Sequence, residues 1–266
     1  MQSKGDNRMS VNEKVVVITG GTSGIGEATV RLFAENGARV TFVGTNKSKG
    51  DAVMEKLKAA GFGETVCFFQ GDVSKAEDVA ALAEFTQKKF GPCDILFNNA
   101  GVHFAGKLHE TPVEEFDRVI SVDLRGVYLC CYHYLPQMLA KKKGCIVNMS
   151  SVSGVCADFS MAAYNAAKGG VSNLTRAIAI DYADEGIRAN AVCPGAVRTE
   201  MLEYTFRKIP YAEEVNRKAY PTHTFATPEE IAELVLFIAS DKVNFLNGTN
   251  ILVDGGITAH TGQPKY

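Results

Sequence analysis

Lys14-Val15-Val16-Val17-Ile18-Thr19, running straight into Gly20-Gly21-Thr22-Ser23-Gly24-Ile25-Gly26, decides the fold. The first run is β-branched and apolar, as a buried strand is, and the chain then turns through glycines into a helical pattern. Glycine lets the backbone turn tightly, lets a pyrophosphate approach closely and lets helix pack on strand. The helix N-terminus adds free N–H groups and the positive end of a dipole. Gly20, Thr22, Ser23, Gly24, Ile25 and Gly26 are therefore candidate phosphate-binding residues. Their spacing is G-x-x-x-G-x-G and not G-x-G-x-x-G, so the strand–turn–helix context carries the reading. A plain flexible turn is the alternative.

Outward from this point, short β-branched runs keep alternating with longer amphipathic stretches. Strands are predicted at residues 14–19, 39–43, 65–70, 95–98, 145–149, 187–192 and 249–253. Helices are predicted at 25–36, 47–60, 76–90, 112–142, 162–185, 199–219 and 228–240, with Gly37, Gly61, Gly91, Gly144 and Gly186 as stops. This is the pattern of an α/β, Rossmann-type, doubly wound seven-stranded parallel sheet with helices on both faces. Residues 1–13 read as a flexible polar N-terminal tail and 14–266 as a single domain. The polar, basic and aromatic segment 200–223 reads as an insertion on the sheet rim. The polar end, 258–266, is expected to hang free or to reach a neighbouring active site.

Composition narrows the function classes. With 266 residues, 46% hydrophobic, 22% charged and a net charge of -2, the chain has ordinary globular proportions and no electrostatic reason to bind nucleic acid. Its apolar windows are far shorter than the roughly 20 residues of a spanning helix, so no membrane is expected. The opening lacks the apolar region of a secretory signal. Seven cysteines, an odd number without C-x-x-C spacing, read as reduced thiols of a cytoplasmic protein. No metal is expected: His103 with His109, or His133 beside Cys130 and Cys131, lack a convincing ligand set.

Chemistry enters at Tyr164-Asn165-Ala166-Ala167-Lys168, where a phenol and an amine four residues apart share one helix face. A free tyrosine has a pKa of about 10. A cation about 5 Å away at an effective dielectric near 20 is worth roughly 3 kcal/mol, or about two pKa units, in favour of the phenolate. The phenol could then protonate a carbonyl oxygen, or its phenolate could take a proton from an alcohol. Ser151, after the strand at 145–149, could hydrogen-bond the same oxygen. A tyrosine packed on a lysine stem would give the same spacing.

Taken together, the motifs resemble the classical short-chain dehydrogenase/reductase family from Lys14 to about Gly256. The resemblance rests on an ordered set: the glycine turn, Asp72-Val73, Asn98-Asn99-Ala100-Gly101, Ser151 thirteen residues before Tyr164, Lys168, and Pro194-Gly195-x-x-x-Thr199. It implies a nicotinamide-dependent oxidoreductase with Ser151, Tyr164 and Lys168 as catalytic residues. By the same resemblance Asp72 and Val73 hold the adenine, and Asn99, with Ala100 and Gly101, meets the ribose. Lys168 bonds the nicotinamide ribose, and Val197 and Thr199, after Pro194 and Gly195, fix the carboxamide. A homotetramer paired through the long helices is implied as well, and the apolar stretch Val127-Tyr128-Leu129 is compatible with it. One position departs from the pattern. Where many members have asparagine in Val-Asn-Leu-x-Gly, completing a proton relay, this chain has Val122-Asp123-Leu124-Arg125-Gly126, so Asp123 is a catalytic candidate at the relay position. Its carboxylate is expected to weaken the pull of Lys168 on Tyr164 and alter the pH profile, unless Arg125 or a proton compensates.

After the second strand the chain reads Val43-Gly44-Thr45-Asn46-Lys47, without the carboxylate that NAD-selective enzymes present to the ribose. NADP(H) is therefore favoured over NAD(H), with Thr45 beside the 2′-phosphate and Lys47 near it. The substrate wall is expected from His103, Phe104, Val155, Cys156 and Phe159, with the rim segment. This mostly apolar lining suits a bulky hydrophobic alcohol or ketone such as a hydroxysteroid or bile acid. A 3-oxoacyl-[acyl-carrier-protein] reductase is the alternative, with Lys141-Lys142-Lys143 as docking groups, although Asp184-Glu185 stand where a further basic residue would be expected. A dinucleotide-binding sensor without turnover is the lesser alternative.

Overall fold

The computed structural model describes residues 11–259 and Thr261. Its seven strands are β1 (Val15–Thr19), β2 (Arg39–Gly44), β3 (Val66–Gln70), β4 (Ile95–Asn98), β5 (Gly144–Met149), β6 (Ile187–Pro194) and β7 (Asn250–Val253). All pair in parallel, in the order β3-β2-β1-β4-β5-β6-β7. The order reverses between β1 and β4. A crevice opens at such a switch point beyond the carboxyl ends of the strands.

The unbroken apolar runs of the central strands follow from burial on both faces. Val16, Ile18, Ile95, Phe97 and Val147 point into one core with α1 (Gly24–Glu35), α2 (Lys47–Ala59) and α9 (Pro228–Ala239). Val17, Leu96 and Ile146 alternate into the other with α3 (Ala76–Phe90), α5 (Gly126–Lys141) and α6 (Ala162–Asp181). The period of two thus separates the two helical layers. No helix among the described residues is long and apolar enough to cross a membrane.

Several boundaries differ from the sequence reading. The helix predicted over 112–142 is α4 (Val113–Ile120), a π-helical turn (Ser121–Arg125) and α5, with the Gly126 N–H donating to the Ser121 carbonyl five residues back. It ends at Lys142 in the left-handed region, and Gly144 already belongs to β5. The helix predicted over 199–219 breaks into α7 (Glu200–Lys208) and α8 (Ala212–Ala219). Pro210 pushes Ile209 into extended backbone, φ -126 and ψ 94. Within the expected tail, Val11 is fully buried against the first core and Glu13 N–H bonds the Gly37 carbonyl at 2.9 Å. Residues 1–10, and most of the 258–266 end, lie outside the described residues.

Candidate active site

The crevice is a cleft of about 890 Å³ that starts at the glycine turn. Gly20 and Gly24 have φ of +65 and +54, values that disfavour any side chain. A Cβ on Gly26 would sit 2.1 Å from the Gly20 carbonyl oxygen, so only glycine lets α1 close on β1. Ser23, at the N-cap of α1, makes no side-chain cap bond, which leaves the helix's first N–H groups without that partner. A turn this tight, delivering open N–H groups at a helix start, fits a pyrophosphate.

Most of the predicted cofactor residues line this cleft: Gly20, Thr22, Ser23, Gly24, Ile25, Thr45, Asp72, Val73, Asn99, Ala100, Gly101, Tyr164, Lys168 and Thr199. Gly26 lies behind it in α1. Asn99 does a job the sequence did not reveal, because its Nδ2 donates to the carbonyls of Thr19 and Gly20. Asp72 accepts from the Ser74 N–H and hydroxyl at 2.9 and 2.7 Å. Pro194, Gly195 and Val197 do not line the cleft. The Val197 side chain packs in the first core, and its carbonyl accepts from the Thr199 N–H at 2.7 Å. Thr199 in turn touches the turn, since a Cβ on Gly24 would meet its methyl at 3.1 Å.

The catalytic candidates converge at the ends of β4 and β5. Lys168, on α6, is almost fully buried; its Nζ donates to the Met149 carbonyl at 3.0 Å and lies 3.0 Å from Asp123 Oδ2. Asp123, fully buried in the π-helical turn, accepts the Val102 N–H on Oδ1 at 2.7 Å. Its Oδ2 is aligned as an ion pair more than as a hydrogen bond. The Lys168 ammonium lies 5.4 Å from the centre of the Tyr164 ring. Ser151, at the N-cap of the 3-10 turn Val152–Gly154, accepts the Ser153 N–H at 3.1 Å and donates to the Ser153 hydroxyl at 3.2 Å. The Ser153 hydroxyl donates in turn to the Asp158 carboxylate, a link that no sequence motif marked.

The electrostatics correct one expectation. Burial pushes the Tyr164 phenol up, Lys168 and the Ser151 hydrogen bond draw it down, and Asp123 and Asp158 push it up again; the balance lies above the usual tyrosine value. The lysine's pull, estimated alone from the sequence, is therefore outweighed. Burial also raises the Asp123 carboxyl against the pull of Lys168, while Lys168, itself penalised by burial, is held above the ordinary lysine value by Asp123.

The substrate wall is only partly as expected. His103 lines the cleft, whereas Phe104 packs into a small core with Val119, Ala163 and Ala167. Val155, Cys156 and Phe159 do not line it and are exposed, Phe159 completely. The rim segment does contribute, through Met201, Tyr204 and Arg207, and Val102, Arg118 and Met149 stand beside them. Of the three lysines considered as docking groups, Lys141 pairs with Asp94 at 2.5 Å and Lys143 with Asp241 at 3.0 Å. No group of three or more His, Cys, Asp or Glu side chains among the described residues is arranged to hold a metal ion.

Known proteins resemble this chain in sequence and in fold. The profile of the family described as Enoyl-(Acyl carrier protein) reductase matches residues 20–258. The chain is 43% identical over 257 residues to the meso-2,3-butanediol dehydrogenase of Serratia marcescens, covering 97% of this chain and 99% of that one. It is 42% identical over 249 residues to the cis-4-hydroxycyclohexanecarboxylate dehydrogenase of Sinomonas cyclohexanicum, covering 93% and 97%. The crystal structure of gox2181 superposes with a TM-score of 0.90 at 30% identity, over 94% of this chain and 97% of that one. Sharing the length and much of the sequence of these dehydrogenases, and the fold of that structure, the chain belongs to the classical short-chain dehydrogenase/reductase family of NAD(P)-dependent oxidoreductases acting on CH–OH groups.

Proposed function

We propose that the chain interconverts a compact secondary alcohol and its ketone, with Tyr164 as the acid/base, Ser151 as hydrogen-bond donor to the reacting oxygen, and Lys168 holding the phenol's electrostatic environment. Tyr164 and Lys168 side by side on the cleft wall, with Ser151 off that wall but within hydrogen-bond reach of the Tyr164 phenol, carry this reading. In reduction the Tyr164 hydroxyl protonates the developing alkoxide; in oxidation the phenolate removes the alcohol proton. The bound nicotinamide dinucleotide supplies or accepts the hydride. The Ser151 hydroxyl, which donates to Ser153 in the free site, turns its proton to the substrate oxygen to steady charge there.

A compact substrate is favoured over a hydroxysteroid or bile acid because Val155, Cys156 and Phe159, on which the bulky reading leaned, lie off the cleft. The butanediol and hydroxycyclohexanecarboxylate specificities in the relatives' names point the same way. The acyl-carrier reading loses support because Lys141 and Lys143 are tied to Asp94 and Asp241. NADP(H) is favoured over NAD(H) because the turn after β2 offers Thr45 and no carboxylate. Lys47, paired with Asp51 at 2.6 Å, contributes less to that preference than the sequence suggested. A homotetramer fits the exposed Tyr128 and Tyr132 on α5, whose rings lie tilted at 6.0 Å, and unpaired thiols suit a cytoplasmic protein.

Initial rates with 2,3-butanediol, 4-hydroxycyclohexanecarboxylate and a 3-hydroxysteroid, each with NAD and NADP, test the reading. Turnover of the small alcohols, abolished by Tyr164→Phe, is the expected result; a steroid used in preference would reverse the substrate assignment. Light scattering of the purified chain reads the tetramer.

A further inference from the structure

Among the described residues, Asp123 and Lys168 are the only Asp, Glu, Lys or Arg side chains that are buried. One oxygen of Asp123 serves the main chain, receiving the Val102 N–H, and a neutral amide could do that equally well. The second oxygen is what the charge adds, and it faces the Lys168 ammonium at 3.0 Å. Burying a charged pair is costly, so the carboxylate calls for a function that an amide would not serve. Gly101 makes the room for it: a Cβ there would lie 2.9 Å from Asp123 Oδ2 and 3.4 Å from Lys168 Nζ.

We infer that Asp123 is a positioning residue that holds Lys168 as half of a neutral pair, so that Tyr164 stays in its proton-donating form and the site is set for carbonyl reduction at neutral pH, with alcohol oxidation displaced to alkaline pH. The inference rests on the proposed role of Tyr164. The ammonium is fixed between the Met149 carbonyl and the carboxylate, and a compensated ammonium stabilises a phenolate less than a bare one does. The other charged or titratable groups around the pair are Asp158 before α6, Cys193 on β6, and His103 and Arg118 on the side of β4 and α4. None of these is ion-paired with Lys168.

The test compares the parent, Asp123→Asn and Tyr164→Phe by initial rates in both directions from weakly acidic to alkaline pH. Asparagine keeps an acceptor for Val102 and removes the charge. The oxidation profile of Asp123→Asn should shift to lower pH by about one unit, and the reductive rate should begin to fall at a correspondingly lower pH. Superimposable profiles, or a shift to higher pH, overturn the inference. If Asp123→Asn does not turn over, ultraviolet difference titration of tyrosinate reads the same displacement without catalysis, with Tyr164→Phe identifying the Tyr164 inflection. An inflection that does not move overturns it as well. Turnover retained by Tyr164→Phe would instead overturn the assignment of Tyr164 itself, whatever Asp123→Asn does.

Discussion

Asn99 reaches from the end of β4 back to the glycine turn, placing its Nδ2 3.0 Å from the Thr19 carbonyl oxygen and 3.2 Å from that of Gly20. Thr19 answers with its hydroxyl oxygen, which accepts the N–H groups of both Asn99 and Ala100 at 2.9 Å. The two strands that flank the switch point are thus tied together where the cofactor cleft begins. Asn99→Ala leaves two carbonyls short of a donor, a loss of about 1–3 kcal/mol in stability. The KM for the dinucleotide should rise about tenfold, the equivalent of about 1.4 kcal/mol, with a smaller effect on kcat. An unchanged dinucleotide KM would show that the tie does not shape the cradle.

Gly101→Ala should reduce kcat by tenfold or more while the chain still folds, since the new methyl meets the Asp123–Lys168 pair and must displace it. Kinetics beside a circular-dichroism melt checks this. Wild-type kcat in a folded variant would mean that the pair tolerates movement.

Thr227 caps α9 through a complete capping box: its hydroxyl accepts the Glu230 N–H at 3.2 Å while the Glu230 carboxylate accepts the Thr227 N–H at 2.7 Å. Thr227→Ala should cost about 1 kcal/mol in chemical denaturation. Neither residue lines the cleft, so specific activity should stay at the parental level.

Asp241 joins the entry to β1 with the entry to β5, receiving Lys14 at 3.3 Å and Lys143 at 3.0 Å. Burial pushes its carboxyl up, but the hydrogen bonds and charges of the two lysines outweigh that and leave it below the usual aspartate value. A carboxyl lowered by folding contributes stability that is fully present above the unfolded value, about pH 4, and is lost as pH falls through the lower folded value. Asp241→Asn should therefore flatten the acid limb of a Tm-against-pH curve. An unchanged limb would remove Asp241 from the acid response.

The sheet was legible because its central strands are buried on both faces, so Val15 to Ile18 and Cys145 to Val147 announce themselves as apolar runs. The cofactor end was legible because backbone geometry there demands glycine, and glycine is visible in a sequence. Pro210 carried a signal that helical periodicity alone overrode. The substrate wall was harder to read. Phe159 and Phe104 have the same chemistry in sequence, but one is fully exposed and the other packs on α4 and α6, a difference set by long-range contacts. The net direction at Tyr164 was hidden for a related reason: burial and the two carboxylates, which outweigh the pull of Lys168, are properties of the assembled site.

The π-helical turn had no sequence signature, since residues 121–125 fit a helical period as well as their neighbours do. It accommodates five residues in a loop of chain where an α-helical turn closes over four. Deleting one of the turn's four residues other than Asp123 would let the stretch relax to ordinary helix, with α4 and α5 keeping roughly their directions while the residues between them change the side of the helix they occupy. The acidic group would then leave the lysine even if its codon were untouched. At this point in the chain the catalytic geometry is encoded by counting as much as by side-chain identity, so insertions and deletions there should be as damaging as substitutions of the acid itself.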